Sequence, residues 1–88
     1  MKITFDPAKD LSNQRKHGMS RSEAEGFEWE DAVEREDTRR EYGERRMIAL
    51  GYIGLRLCCA IYVDRGDERR IISLRKANSR EVKRYAEA

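Results

Sequence analysis

The side chains of this 88-residue chain best suited to gripping an anion crowd into RIISLRKANSRE, the stretch from Arg70 to Glu81. Arg70, Arg75, Lys76 and Arg80 fall there, with Arg46 further back. Arginine's planar fork holds a phosphate through two hydrogen bonds. Asn78 and Ser79, at the start of an expected helix, add free backbone N–H groups that help receive an anion. The plainer alternative is a solvated cationic rim that pairs with Glu81 and with acidic residues elsewhere. His17 is the only histidine, the side chain best matched to proton transfer near neutral pH. It closes the basic run Arg15-Lys16-His17, where it can equally serve as a helix C-terminal cation favoured by the macrodipole. Glu44, just before Arg45 and Arg46, can act as a general base or fix an arginine, and the spacing favours the second. Tyr85 can pack or stack on a base, with packing favoured.

No metal cage, glycine-rich phosphate loop, nucleophile elbow or dinucleotide fingerprint is present. Cys58 and Cys59 are adjacent, so on a strand they point to opposite faces and pair poorly. With a single distant histidine they make no metal site, and they read as packing residues in a reducing compartment. Catalysis by this chain therefore uses no metal or cofactor and rests on Arg, Lys, His, Glu and Tyr. That set suits RNA cleavage, in which the ribose 2′-OH attacks the adjacent phosphorus. The step needs a base, cations for the crowded phosphate and an acid for the leaving oxygen.

These groups need rigid elements to hold them. Lys2 to Phe5 reads as a short strand. Asp6-Pro7 starts a helix, with Asp as N-cap and Pro first, running to His17 and stopping at Gly18. Its apolar residues are few, Ala8 and Leu11, so it belongs on a surface with its basic end accessible. Ser20 and Glu23 have capping-box spacing, and a second helix from there to about Trp29 presents Ala24 and Phe27 to a core. The stretch EDAVEREDTRREYGE has no clear apolar period and reads as an exposed connection or weak edge strand. Arg46–Ile53 and Leu55–Val63 are strands around Gly54, the second with a period of two. Asp64-Arg65-Gly66-Asp67 is a turn. The strand Arg69–Leu74 follows, with Arg69, Ile71, Ser73 and Arg75 on one face and Arg70, Ile72 and Leu74 on the other. A helix from Asn78 or Ser79 closes the chain. The expectation is an α+β domain spanning residues 1–88: two N-terminal helices packed on an antiparallel meander sheet, then a C-terminal helix.

Charged residues make up 41% of the chain and hydrophobic ones 39%. The apolar residues cluster, which argues against disorder. No apolar run is long enough for a membrane span, and the amino terminus lacks the apolar core of a signal peptide, so the reading is soluble and cytoplasmic. Net charge is only +2, but the part up to Glu44 is acidic and the part from Arg45 onward basic. A basic half in so small a domain suits an anionic partner, and composition leaves open whether the acidic stretch from Glu23 to Glu44 shields it or forms another binding surface.

Three stretches, FDPAKDLSNQRKHGMSRSEAE, GERRMIALGYIGLRLCCAIYV and RIISLRKANSREVKRY, together resemble the BrnT toxins of type II toxin–antitoxin pairs over nearly the whole chain. The resemblance implies a RelE-like endoribonuclease fold that slows translation by cutting RNA. It also implies a BrnA-like ribbon-helix-helix antitoxin in a heterotetramer that represses its own operon, with operator DNA touched only through the antitoxin. The family's recurring polar residues fall on Lys16, His17, Glu44, Arg46, Arg70, Ser73, Arg75, Lys76 and Tyr85. Of these, Arg46, Arg70 and Arg75 are expected on the reacting phosphate, His17 or Glu44 as the base, and Lys16, Ser73, Lys76 and Tyr85 with Arg80 along the RNA. The chain departs from the pattern at Arg21 and Met47, where aromatics are usual, and at Glu28-Trp29-Glu30-Asp31, which lacks the usual proline. Two other classes stay open: a domain that binds nucleic acid without cutting it, and a protein-interaction module.

Overall fold

The computed structural model describes residues 1–88. Five strands form one sheet in the order β1-β5-β4-β3-β2. They are β1 (Lys2–Thr4), β2 (Val33–Glu36), β3 (Met47–Ile53), β4 (Arg56–Arg65) and β5 (Glu68–Lys76). The helices are α1 (Pro7–His17) and α2 (Ser79–Glu87), with two 3₁₀ segments, Arg21–Gly26 and Trp29–Asp31, between α1 and β2. No helix is long and apolar enough to cross a membrane.

Strands β2 to β5 are the expected antiparallel meander. β1 is a correction to the antiparallel reading, because it pairs with β5 in parallel, Lys2 opposite Glu68 and Thr4 opposite Arg70. Nearly the whole chain separates these partners, so the short-connection argument that makes neighbouring strands antiparallel does not reach them. The second expected helix is also revised. It is a 3₁₀ turn that stops at Gly26, since Phe27 bridges Ile53 and the Glu28 N–H bonds the Tyr52 carbonyl at 2.9 Å. Sheet pairing takes the backbone groups that a longer helix would need. Leu55, expected in a strand, sits in the tight turn with Gly54 and is fully exposed.

Both faces of the sheet are covered, by different means. Ala49, Cys58, Ala60, Tyr62, Ile71 and Leu74 on one face meet Met19, Ala24 and Phe27. Ile48, Leu50 and Cys59 on the other meet Val33, Ile61 and Tyr85. Cys58 and Cys59 are thus buried and unpaired on opposite faces, and burial pushes the Cys59 thiol up to about 12. Gly51 is required by packing. A Cβ there would lie 2.7 and 2.8 Å from two ring carbons of Phe27, so Gly51→Ala is expected to destabilise the fold by about 1–3 kcal/mol in urea denaturation.

A bulge changes which residues share a face. Ile61 pairs with Ser73 and Tyr62 with Ile71, which leaves Ile72 without a partner. Period two assumes an unbroken pleat. The extra residue rotates what precedes it, so Ile71 joins Leu74 in one core and Arg70 turns to the side of Ser73 and Arg75.

Asp6 caps α1 by accepting from the N–H of Ala8 and of Lys9, and Gly18, at φ +68°, ends it. Helix α1 buries Asp10 and Asn13, while Leu11 is exposed. Asn13 donates to the carbonyls of Met19 (2.7 Å) and Leu74 (2.9 Å) and accepts from the Leu74 N–H (3.3 Å). Pairing with β1 ends at Arg70, so the Asn13 amide does for Leu74 what a neighbouring strand would do.

Candidate functional site

Residues directly opposite across an antiparallel ladder share a face. On the second face this gives the rows Val33–Leu50–Cys59–Arg75 and Arg35–Ile48–Ile61–Ser73, with Val63 beside Arg70. Helix α2 covers one end, where Tyr85 packs. Over the rest, basic side chains border an apolar middle.

Two adjoining hollows open along α1. One, of about 260 Å³, is lined by Lys9, Ser12, Asn13, Lys16, His17, Arg21 and Ser73. The other, of about 110 Å³, is lined by Asp6, Lys9, Arg21, Arg46, Arg70, Ile71 and Ile72. Lys9 and Arg21 belong to both. Burial, then the nearby charges of Arg75 and Lys16, holds the His17 imidazole below its usual pKa. Neutral and cation-flanked at physiological pH, it is ready to accept a proton.

The walls are braced by hydrogen bonds. The buried Asp10 carboxylate accepts from the Arg21 backbone N–H (2.7 Å), the Ser20 hydroxyl (2.7 Å) and the Gln14 amide (3.1 Å). Burial alone would raise its pKa, but these bonds hold it below the usual carboxylate range. Buried Asp37 accepts two bonds of 2.8 Å from Arg39 and one of 3.2 Å from the Tyr42 hydroxyl. The Tyr42 ring lies 4.1 Å from the Arg46 guanidinium, and the Asp37 N–H bonds the Arg46 carbonyl. The stretch read as an exposed connection or weak edge strand forms β2 and, after it, the segment that thereby fixes Arg46.

Arg75 is differently placed. Its guanidinium donates to both Glu81 oxygens, at 2.6 and 2.9 Å, and the Asn78 N–H donates to the same carboxylate. Burial works against the charged form of Glu81, yet the Arg75 and Asn78 bonds hold the carboxyl down at about 2. A depressed carboxyl stabilises the fold above its unfolded pKa, and that contribution is lost as pH falls through the folded one. Wild type is therefore expected to lose stability between about pH 4.5 and 2, the ordinary and folded values. Glu81→Gln should respond less across that window, read from urea midpoints at stepped pH.

The structure gathers Lys16, His17 and Ser73 around one hollow and Arg46 and Arg70 around the next. The others line neither hollow, although Arg75 stands close enough for its charge to reach His17. Glu44 holds Arg65 with contacts of 3.0 Å. Tyr85 meets Tyr52 edge-on and donates its hydroxyl to the Asp31 carbonyl. Lys76, opposite Cys58, is on the other face and lines an apolar hollow with Leu55, Leu57 and Val82. Arg80 is exposed on α2. Sequence reasoning missed Lys9, although Lys9, Asn13 and Lys16 have the spacing of one helix face. Arg21 stood out as a departure from the pattern that could add to the basic surface, with no role at the reacting phosphate.

Compared with known proteins, residues 5–81 match the sequence model of the ribonuclease toxin BrnT of type II toxin–antitoxin systems. Among solved structures, the crystal structure of the Brucella abortus ribonuclease toxin, BrnT, is similar, with 28% identity and a TM-score of 0.71. The match covers 90% of this chain and 99% of that one. No curated protein matches.

Proposed function

Since this chain belongs to the BrnT family of ribonuclease toxins of type II toxin–antitoxin systems, we propose that it cuts RNA at the junction of the two hollows and so inhibits translation. The observation that carries this reading is the meeting of a neutral imidazole with guanidiniums that no carboxylate neutralises. His17 takes the proton of a ribose 2′-OH, and that oxygen attacks the adjacent phosphorus. Arg70 and Arg46 balance the charge that grows on the phosphoryl oxygens, while Lys16 and Ser73 hold the strand beside His17. The bond to the 5′-oxygen breaks, that oxygen takes a proton from water, and a 2′,3′-cyclic phosphate and a 5′-hydroxyl remain. The cations supply the charge stabilisation, so the reaction proceeds without a metal.

The wider reading has the chain as one cytoplasmic RelE-like domain, residues 1–88. A BrnA-like ribbon-helix-helix antitoxin neutralises it in a heterotetramer that represses the operon, with DNA reached through the antitoxin. Pure protein in EDTA is the test. Wild type should cleave RNA to cyclic-phosphate ends, more slowly as pH falls through the lowered pKa of His17, because protonation removes the base. His17→Ala should lose about 10²–10⁴-fold in rate together with that acid limb. Intact RNA, free or on translating ribosomes, with binding retained, would favour a non-catalytic binding domain instead.

A further inference from the structure

Arg21 is nine-tenths buried, at 9% exposure. Its Nε is buried with no hydrogen-bond partner, and the guanidinium is in no ion pair. Arg46 has a buried, unpartnered Nε as well. Asp10 and Asp6 act on this cation only through space and make no bond to it. A buried cation without a direct partner works against folding, so a purely structural arginine at this depth would be expected to hold a carboxylate or carbonyl. Instead its backbone is pinned, by the Asp10 carboxylate on its own N–H and by the Ser20–Glu23 capping box. The side chain meanwhile lines both hollows. Lys9, which also lines both, is exposed and rides on a flexible stem. The smaller hollow sets Arg21, Arg46, Arg70 and Lys9 against one carboxylate, Asp6. That carboxylate is already engaged by two backbone N–H groups of α1.

Building on the ribonuclease reading, we infer that Arg21 is a catalytic residue, the guanidinium on which the scissile phosphodiester sits between His17 and the Arg46–Arg70 pair. An RNA phosphate supplies the acceptors that the fold withholds. The fork is held in advance where negative charge develops, which is the arrangement that lowers a barrier.

The test compares Arg21→Met, which keeps bulk and drops charge, with Arg21→Lys, which keeps charge and drops the fork. Readouts are melting temperature, single-turnover cleavage, and the salt dependence of binding to a 2′-O-methylated, uncleavable RNA oligonucleotide. Arg21→Met should melt no lower than wild type, cleave about 10²–10³-fold more slowly and show a salt slope shallower by about 0.7. Arg21→Lys should keep the slope and still cleave at least about tenfold more slowly. A folded Met variant with wild-type cleavage and slope overturns the inference. So does a lower melting temperature with unchanged activity per folded molecule. If Arg21→Met does not fold, wild-type kinetics of Arg21→Lys overturn it. If wild type cuts no RNA, the ribonuclease reading fails by itself, and the oligonucleotide slopes still decide whether Arg21 grips a phosphate.

Discussion

Arg70→Ala is expected to fold normally and to cleave RNA about 10²–10³-fold more slowly than wild type in single-turnover assays, a loss of roughly 3–4 kcal/mol of transition-state stabilisation. The two halves of that expectation come from one fact. Arg70 projects from the first part of β5 beside Val63, half-buried, with no side-chain hydrogen bond or ion pair of its own. Truncating it orphans nothing, so stability should hold. What disappears is a charge mounted on a strand and aimed into the smaller hollow. Arg75→Ala should show the opposite balance. Arg75 is already neutralised by Glu81, so its loss leaves a buried carboxylate without its cation, costing more stability and less rate. A double comparison of melting temperature and cleavage rate separates the two arginines, and equal losses from both would contradict the assignment.

Asn13→Ala should be the most damaging small substitution in the chain, at about 3 kcal/mol, or a fall in melting temperature on the order of 10–20 °C. One amide serves the Leu74 N–H, the Leu74 carbonyl and the Met19 carbonyl, and no other protein group is bonded to those sites across the edge that β1 leaves bare. Asn13→Asp should fail nearly as badly, because a carboxylate cannot donate to two carbonyls. Guanidinium denaturation measures the loss directly. Activity per folded molecule should fall too, since the same amide sets α1, with Lys9, Lys16 and His17, against Ser73.

What could be read ahead of the structure was local. Asp6, Pro7 and Gly18 bound α1 through contacts a few residues long, and Asn78 with Glu81 starts α2 in the same way. The meander followed from short connections. Long-range effects were hidden. Nothing near Asn13 announces that it stands in for a strand beside Leu74, a residue sixty-odd positions away. The unpaired Ile72 is likewise invisible to a periodicity argument, yet it decides that Arg70 and Ser73 share a face. β1 escaped the antiparallel rule because its partner is nearly a chain length distant.

For the site, residue type and resemblance picked out His17, Lys16, Ser73, Arg46 and Arg70, which the fold does assemble. They could not tell a free cation from a tied one. Arg75, placed with the phosphate-gripping residues, is held by Glu81, and Glu44, weighed as a base, is occupied with Arg65. Arg21 was seen as a possible addition to the basic surface, but not as buried, because its burial depends on a carboxylate in α1 and on the packing of a 3₁₀ turn. No pattern along the chain encodes either.

The order in which the chain is made gives the β1–β5 pairing and the Asn13 clamp a further meaning. Both hollows are built from α1, near the start of synthesis, and from β5, near its end. A nascent chain that ends before β5 has the imidazole of His17 but neither Arg70 nor the strand that seats the helix. Such a polypeptide is expected to be harmless to the messenger and ribosome producing it. Release of a chain stalled after β4 should yield a product with no nuclease activity. The danger arrives only with the last strand, close to the moment at which a waiting antitoxin can bind a finished surface.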